Sequence, residues 1–363
     1  MRVVISNSMI TWGGGENWSL TAASGLAERG HEIVVVCRPE SELGKRAESA
    51  GLTVKTVQLR GDLNPLAVIR LCCFFKGFRP DVIVCNVDRE VRSLGIAARL
   101  SGRIPFIRRR GSDYAFKNAW RYRASYRYLV DRVLVNSRST CNTILSGNPW
   151  MPEKKLHMIY NGIRESQFFP DREAGLRVRR ELGMPEDAFV AGMMGSFLPR
   201  KEHGTLIRAA HSVPSLFLLL SGPAPDERFF KEVRSSVSDI AERVFFPGPV
   251  TDLNGYYNAM DLFVMPSSNE GFGYAAAEAM CSGIPAAVSN ATSLPEVVGD
   301  AGFIFPVEDF RALTSILKKC ISGEADLAAL ASAGRRRVLE RFTLSRMLDD
   351  LEIFLKREAG FEG

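Results

Sequence analysis

The stretch DLFVMPSSNEGFGYAAAEAMCSG, residues 261–283, combines the patterns of a strand, a turn and a helix. DLFVMPS (261–267) has the short apolar run of a buried strand, and the glycine-containing turn after it holds Glu270. YAAAEAMCSG predicts a helix of small residues that contains Glu278 and ends at Gly283. A strand that leads directly into a helix is the building unit of parallel sheets, so this stretch predicts an α/β fold.

The same alternation of short apolar runs with helix-length segments continues along the chain. It is typical of a parallel sheet with helices on both faces. In the first half we predict strands at 2–6, 32–37, 53–59, 81–85, 104–107 and 132–136, and helices at 16–29, 64–76, 89–100 and 117–129. The second half predicts strands at 189–196, 216–222, 243–248, 262–267, 285–289 and 301–306.

Two similar halves predict two Rossmann-like, doubly wound domains. A charged stretch with two prolines and two glycines, 165–187, indicates the boundary between them. We therefore assign residues 1–170 to an N-terminal domain and 171–340 to a C-terminal domain. Such domains bind ligands at the carboxyl ends of their strands, so we expect the two sheets to face a central cleft.

Composition restricts the class of protein. The 363 residues are 46% hydrophobic and 24% charged, which favours folded domains over disorder. No apolar run reaches 18 residues, so we expect no segment that spans a bilayer. MRVVISNSMI has no cleavage-site pattern, which argues against a signal peptide. The seven cysteines show no paired spacing, so we expect reduced thiols in a cytoplasmic protein. The net charge of +6 favours an acidic partner.

Two other stretches follow predicted strands and suit a phosphorylated ligand. WGGGENWSL (12–20) has three glycines at a helix start, where the backbone can approach an anion, but it lacks the G-x-G-x-x-G dinucleotide fingerprint. GSFLPRKEHGTLIRA (195–209) carries Arg200 and Lys201, two cations suited to a diphosphate. The alternatives are a tight turn that binds nothing and a solvated basic loop.

The two glutamates of the first stretch have different predicted surroundings. Glu270 precedes the helix, and the amides of Phe272, Gly273 and Tyr274 at the helix start suit a phosphate. Glu278 lies about one turn inside the helix. A carboxylate accepts hydrogen bonds from vicinal hydroxyls, so each glutamate suits a sugar ring. The alternative is a surface Glu278 and a Glu270 that stabilises the helix dipole.

EGFGYAAAEAMCSGIPAAVS (270–289) resembles the signature of the family-four glycosyltransferases (group 1), which have the GT-B fold and retain anomeric configuration. Further stretches are similar to that family in order: GGGE (13–16), DRVLVNS (131–137), KLHMIYNGI (155–163), GSFLPRKEH (195–203), FPGPV (246–250) and YYNAMDLFVMPS (256–267). The resemblance covers essentially the whole chain. ERFTLSRMLDDLEIFL (340–355) is similar to the last helix of the family, so we assign residues 341–363 to a helix that packs back on the N-terminal domain.

The resemblance implies a nucleotide-diphosphate sugar donor in the C-terminal domain and a glycan or lipid-linked acceptor in the N-terminal domain. It assigns Glu278 to the donor ribose, Glu270 to the transferred sugar and Lys201 to the leaving diphosphate. The other donor-binding positions that it implies are Gly13, Gly14, Gly15, Gly195, Ser196, Gly271, Phe272, Gly273 and Tyr274. We expect catalysis without metal or cofactor, because the sequence contains no D-x-D and the diphosphate needs electrostatic stabilisation more than a protein base.

The sequence departs from the family pattern at two positions. Ser196 stands where an arginine is usual, and we expect Arg200 to supply the missing catalytic charge. Arg110 stands where a histidine is frequent, and an arginine cannot act as a base at neutral pH. We therefore expect Arg110 to bind an anionic group of the acceptor, with Asp113 and Asp88 as candidate acceptor-side carboxylates.

Residues 106–132 combine eight basic residues with seven aromatic ones. The predicted helix places Phe116, Trp120 and Tyr128 on one stripe, with arginines beside it. This mixture suits an anionic membrane, and similar enzymes often use lipid-linked acceptors, so we expect peripheral binding to the inner face of the cytoplasmic membrane. No nucleic-acid motif accompanies the segment. The alternative is that the aromatics are core and the arginines solvated.

These patterns together predict a metal-independent, retaining glycosyltransferase of cell-surface polysaccharide or lipopolysaccharide biosynthesis. Two alternatives stay open: an inverting transferase or epimerase on the same fold, and a nucleotide-sugar-binding or membrane-surface module without turnover. An NAD oxidoreductase is disfavoured because neither half carries the dinucleotide fingerprint. Turnover of the donor distinguishes an enzyme from a binding module.

Overall fold

The strands of the protein form two parallel sheets, seen in a computed structural model that describes residues 1–59 and 61–361. Backbone contacts divide the chain into two units. The first comprises Met1–Asn161 and the segment from Ser345 onward, and the second comprises Gly162–Leu344. Every pairing between the strands of a sheet is parallel in the described residues, so the predicted α/β class is confirmed.

The first unit has a seven-stranded sheet in the order β3-β2-β1-β4-β5-β6-β7. The direction in which successive strands are added to the sheet reverses between β1 and β4. Its strands are β1 (Arg2–Asn7), β2 (Glu32–Cys37), β3 (Thr53–Thr56), β4 (Val82–Cys85), β5 (Phe106–Arg110), β6 (Arg132–Val135) and β7 (Leu156–Met158). Its helices before the second unit are α1 (Gly14–Glu28), α2 (Glu42–Ser49), α3 (Pro65–Phe78), α4 (Val91–Leu100), α5 (Trp120–Tyr128) and α6 (Arg138–Gly147). The carboxyl ends of β1, β4 and β5 therefore lie side by side.

The second unit has a six-stranded sheet in the order β10-β9-β8-β11-β12-β13. Its strands are β8 (Phe189–Met194), β9 (Leu216–Ser221), β10 (Val244–Gly248), β11 (Leu262–Met265), β12 (Ala286–Ser289) and β13 (Phe303–Phe305). Its helices are α7 (Arg172–Leu182), α8 (His203–His211), α9 (Glu227–Ser235), α10 (Leu253–Asn258), α11 (Tyr274–Cys281), α12 (Leu294–Val298), α13 (Phe310–Ser322) and α14 (Leu327–Arg341). Because β8 and β11 are neighbours, the loops that follow them meet at one edge of the sheet.

The elements of the first unit that were not predicted from the sequence include α2, α6 and β7, of which α2 and β7 have the weakest patterns. The helix α2 is short and mostly polar, and only Leu43, Gly44 and Ala47 of it are buried. The strand β7 has three residues, all half-buried, and pairs only with β6 in the sheet order. Neither element has the apolar run on which the sequence prediction depended.

The stretch predicted as the domain boundary, 165–187, contains the helix α7 instead of an irregular linker. Asp171 caps its N-terminus by accepting a hydrogen bond from Ala174 N, and Gly183 ends it in the left-handed region with a φ of 70°. Arg179 is buried, where it donates to the carbonyl of Ala259. Backbone contacts divide the chain after residues 161 and 344, compared with the sequence assignments after 170 and 340.

The last described helix, α15 (Leu344–Glu358), returns to the first unit. Leu348 occupies the space beside Gly25, where a Cβ would lie 2.3 Å from its Cδ1. Phe354 stacks on His157 with ring centroids 4.3 Å apart, and Glu352 accepts a hydrogen bond from Arg29 at 3.1 Å. The helix thus completes the core of the first unit.

Candidate active site

The turn between β11 and α11 holds Glu270 in a fixed backbone position. Its amide donates to Thr292 Oγ1 (3.0 Å), and its carbonyl accepts from Thr292 Oγ1 (2.8 Å) and Ser293 Oγ (3.1 Å). These two residues follow β12, the next strand of the sheet. The carboxylate of Glu270 is therefore presented from a turn that its neighbouring loop immobilises.

The partner of that carboxylate is Lys201, at the end of a single 3-10 turn that follows β8. Lys201 Nζ lies 2.5 Å from Glu270 Oε1, and both side chains are only 11% exposed. A second link joins the loops, because the carbonyl of Arg200 accepts from the amide (2.9 Å) and the hydroxyl (3.2 Å) of Ser268. The structure thus brings together the lysine and the glutamate that the sequence assigned to diphosphate and sugar.

Glycines allow the backbone of this loop to pass close to Lys201. Gly195 has a φ of 157°, and a Cβ on it would lie 3.5 Å from Lys201 Nζ. Beneath it, a Cβ on Gly222 would lie 2.0 Å from the carbonyl oxygen of Gly195, closer than real Cβ atoms approach. Ser196 is half-buried, whereas Arg200 is exposed and its side chain has no ion pair with the described residues. The catalytic role expected for Arg200 stays a prediction.

The start of α11 has the geometry expected for an anion site. Gly273 precedes the helix with a φ of 95°, and a Cβ on it would lie 2.7 Å from Leu294 Cδ2, so a glycine is required there. Phe272 is buried and packs edge-on against Tyr274, with ring centroids 5.4 Å apart. The first amides of a helix lack partners within the helix and carry positive charge. The amides of Gly271 and of these residues therefore directly follow Glu270, the partner of Lys201, in the chain.

Glu278 lies inside α11, away from the turn, and its bonding differs from that of Glu270. Tyr257 of α10 donates its hydroxyl to Glu278 Oε2 at 2.7 Å. Burial raises the pKa of Glu278, and the hydrogen bond from Tyr257 lowers it in part. The two glutamates thus occupy separate environments, one paired with a cation and the other held by a tyrosine.

His203, two residues after Lys201, is a buried residue of the second unit. Its ring stacks on Phe197 with centroids 4.5 Å apart, and among the described residues its Nδ1 has no hydrogen-bond partner. Burial, together with the charge of Lys201, lowers the pKa of His203 to about 4. The imidazole is therefore neutral at physiological pH and adds no charge beside Lys201.

The three glycines predicted to approach a ligand begin α1 in the first unit. Gly13 and Gly14 form the helix start, and Asn86 Nδ2 donates to the carbonyl of Gly15 at 2.7 Å. Asn7 Nδ2 donates to the buried carboxylate of Glu16 at 2.9 Å. Two asparagines at the ends of β1 and β4 therefore fix the glycine loop from below.

The acceptor-side residues predicted after β4 and β5 form a closed ionic cluster. Asp88 Oδ1 accepts from Arg108 Nε (2.9 Å) and from the hydroxyl of Tyr126 (2.8 Å), and its Oδ2 accepts from Arg110 (2.9 Å). Burial raises the pKa of Asp88, but the charges of Arg108 and Arg110 outweigh burial and lower it. Both oxygens are engaged within the protein, so the geometry gives Asp88 a structural role.

Asp113 is likewise a buried residue, 3% exposed. Its Oδ2 accepts a hydrogen bond from Ser139 of α6 at 2.5 Å. Arg110 reaches in another direction, since it also donates to the carbonyl of Tyr114 at 2.8 Å and lies over the ring of Phe116. The acceptor roles of these residues stay predictions, and an acceptor would have to compete with internal partners for Arg110.

The basic aromatic segment contains both core and surface residues. The stripe predicted for Phe116, Trp120 and Tyr128 is wrong, because α5 begins at Trp120 and Phe116 precedes it as a buried residue. Phe106 and Tyr126 are also buried, whereas Trp120 is 81% and Tyr128 67% exposed. In the described residues no helix is long and apolar enough to cross a membrane.

Two family descriptions match adjacent parts of the chain. "Glycosyltransferase Family 4" matches residues 12–167, and "Glycosyl transferases group 1" matches residues 176–337, which include the Lys201–Glu270 pair and α11. The chain belongs to the family-four glycosyltransferases. The resemblance deduced from the sequence is thereby confirmed, and the protein is an enzyme of glycosyl transfer.

Curated relatives of this glycosyltransferase differ in how much of their length it covers. It is 26% identical over 342 residues to the lipopolysaccharide core biosynthesis glycosyltransferase LpsD of Rhizobium meliloti. This match covers 93% of this chain and 94% of LpsD. The O-antigen biosynthesis glycosyltransferase WclY of Escherichia coli is 23% identical, with 76% of each chain covered. The D-inositol 3-phosphate glycosyltransferase of Saccharomonospora viridis is 28% identical, but the match spans only 57% of that protein and 64% of this one.

Solved structures share the fold of this glycosyltransferase. A glycosyltransferase of Rickettsia africae superposes with a TM-score of 0.90 at 18% identity, with 98% of both chains covered. Anabaena Alr3699/HepE, crystallised in complex with UDP and glucose, superposes with a TM-score of 0.86 at 20% identity, covering 98% of this chain and 100% of that one. The expected GT-B class, with two Rossmann-like domains, is confirmed by these likenesses.

Some residues that hold the predicted site residues of each unit in place were not singled out from the sequence of this glycosyltransferase. Thr292 and Ser293 anchor the Glu270 turn, Tyr257 holds Glu278, and Asn86 holds the glycine loop. Each is distant in sequence from the group that it bonds. The signal available was positional: Asn86, Thr292 and Ser293 each follow a predicted strand, where ligand sites of such sheets collect.

Proposed function

We propose that this glycosyltransferase moves a sugar, with retention of configuration, from a nucleotide-diphosphate sugar to a glycan or lipid-linked acceptor of cell-surface polysaccharide or lipopolysaccharide. The observation that carries the proposal is the Lys201–Glu270 pair beside the start of α11. Relatives named for lipopolysaccharide core and O-antigen biosynthesis support the acceptor class. The fold neighbour crystallised with UDP-glucose supports the donor class.

In the proposed reaction the bond between the anomeric carbon and the diphosphate oxygen breaks, and the acceptor oxygen bonds to that carbon on the same face. The acceptor proton passes to the departing phosphate oxygen, so no protein base is required. Lys201 and the first amides of α11 stabilise the negative charge that develops on the diphosphate. Glu270 orients hydroxyls of the transferred sugar, and Glu278 accepts from the ribose. Transfer without a metal is part of this proposal, because these groups supply positive charge.

Donor binding is tested by thermal shift with UDP, GDP, ADP and the corresponding glucose conjugates. A donor at about 100 times its Kd stabilises the protein by about 2.7 kcal/mol, and we expect one nucleotide class to do so. Glu278→Ala should remove most of that shift, whereas Glu232→Ala, an exposed glutamate of the same unit, should keep it. Proton NMR of the product anomer then tests retention. Absence of any shift with all six compounds would contradict the donor class.

Because the proposed acceptor is lipid-linked, we also propose that a surface of the first unit binds an anionic membrane. Trp120 and Tyr128 are largely exposed on α5, and Leu66 and Ile69 are 68% and 60% exposed on α3. Arg121 at the start of α5 lies 3.7 Å from Asp62, just before α3, so the two helix starts are close. Exposed aromatic and aliphatic side chains among arginines suit an anionic bilayer, where each basic residue adds about 1 kcal/mol.

Sedimentation with vesicles of phosphatidylcholine and 30% phosphatidylglycerol, a composition chosen for its anionic charge, tests this surface. We expect binding at about 0.05 M salt and release at about 0.5 M, since salt screens the arginines. Trp120→Ser combined with Tyr128→Ser should weaken binding at least about tenfold, the effect of losing about 1.4 kcal/mol. Ile353→Ser, which removes an equally exposed apolar residue from α15, is the matched control. Binding that is the same for all variants would contradict the surface.

A further inference from the structure

Tyr257 is a buried tyrosine whose hydroxyl points at a predicted substrate-binding group. It lies on α10, is 1% exposed, and packs edge-on against Phe168 and Phe263, each with ring centroids 5.9 Å away. Its ring is therefore held on two sides by aromatic rings. A buried tyrosine hydroxyl needs a hydrogen-bond partner, and here that partner is Glu278.

The hydrogen bond from Tyr257 occupies one oxygen of the Glu278 carboxylate. The hydroxyl donates to Oε2 at 2.7 Å, and in the described part of the chain no other hydrogen bond reaches the Glu278 carboxylate. Glu278 as a whole residue is half-buried. Oε1 is the oxygen left for a ligand. Since the tyrosine ring cannot move without displacing its aromatic neighbours, the bond also fixes the direction in which Oε1 points.

We propose that Tyr257 is a positioning residue that makes Glu278 selective for the ribose of a ribonucleoside diphosphate. The inference rests on the proposed function, in which Glu278 accepts from a ribose hydroxyl. With Oε2 held by Tyr257, Oε1 meets that hydroxyl in one orientation. Without the tyrosine hydroxyl the carboxylate rotates about its last torsion, and a ribose and a deoxyribose become nearly equivalent ligands.

The experiment measures ribose selectivity by calorimetry on the full chain. UDP, GDP and ADP are each compared with their 2′-deoxy and 3′-deoxy analogues, and the larger ratio of Kd values is the selectivity. For wild type we expect a selectivity of about ten- to one-hundredfold, the value of one hydrogen bond to a charged group. In Tyr257→Phe, which keeps the ring, we expect the selectivity to fall to about threefold or less. Tyr256→Phe, its half-buried neighbour, should keep the wild-type value.

A second variant separates positioning from a loss of folding. In the Glu278→Ala background the selectivity should already be absent, and adding Tyr257→Phe should change Kd less than about twofold, because Tyr257 acts only through Glu278. An additional loss in the double variant would overturn the inference. So would a Tyr257→Phe variant that binds with wild-type selectivity, while the proposed function would stand. If wild type binds none of the three diphosphates, the proposed donor class and this inference both fail.

Discussion

Replacing Lys201 with methionine is expected to lower kcat by about 10²–10³-fold. The side chain is 11% exposed, and within the described residues its one ion pair is with Glu270, at 2.5 Å, beside the helix start that we assign to the diphosphate. Removing one group that stabilises charge developing in a transition state typically costs about 2.7–4 kcal/mol of activation free energy. Steady-state transfer assays with the donor identified by thermal shift measure the effect.

Loss of stability is a second effect of the same substitution, and a double variant separates the two. Lys201→Met leaves the Glu270 carboxylate without its partner, which we expect to cost about 3 kcal/mol of unfolding free energy. Lys201→Met with Glu270→Gln removes the unpaired charge, so stability should recover while activity stays low. Lys231→Met, at an exposed position of α9, is the control. A Lys201→Met enzyme with more than a tenth of wild-type kcat would contradict the assigned role.

Asp88→Ala is expected to destabilise the first unit by about 3–5 kcal/mol. Arg108 is 2% exposed, and the substitution removes its carboxylate partner, so a buried guanidinium charge is left uncompensated. The hydroxyl of Tyr126 loses its acceptor as well. The four tryptophans, Trp12, Trp18, Trp120 and Trp150, all lie in the first unit, so urea unfolding followed by tryptophan fluorescence reports on that unit.

Asp62→Ala is the matched control, since Asp62 also pairs with two arginines but is about one-third exposed. We expect it to change the unfolding free energy by less than about 1 kcal/mol. The pKa of Asp88 is lowered in the folded protein, so its stabilising contribution is complete at neutral pH and is lost as the pH falls through that pKa. Asp88→Ala should therefore be most damaging near pH 7. Equal effects of the two substitutions would contradict the structural role of the cluster.

Local sequence patterns were sufficient for every strand except β7, and for the turn that carries Glu270. The glycine before α11 and the polar residues after β11 specify that turn, and both are visible within a few residues. Asp88 and Tyr257 show the limit of this reasoning. The partners of Asp88 lie 20, 22 and 38 residues away, and Tyr257 lies 21 residues from Glu278. Whether a carboxylate is available to a ligand depends on such contacts, which only the folded arrangement provides.

The basic aromatic segment shows a second limit. A helical stripe was predicted from spacing alone, but α5 begins at Trp120, so Phe116 is free to turn inward. Phe116 packs against Tyr126 in the core, with ring centroids 4.3 Å apart. The alternation of arginines and aromatic residues in the segment 106–132 does not reveal which aromatic rings the neighbouring helices cover. Burial divides the segment between the two interpretations that the sequence left open.

The return of α15 to the first unit has a consequence for the order in which the protein folds during synthesis. The second unit is continuous from 162 to 344, so the ribosome completes it before α15 emerges. The first unit is synthesised earlier, yet its core lacks Leu348, Leu351 and Phe354 until α15 arrives. The domain made first is therefore the last to finish folding, and its apolar surface beside Gly25 stays open to chaperones during that interval.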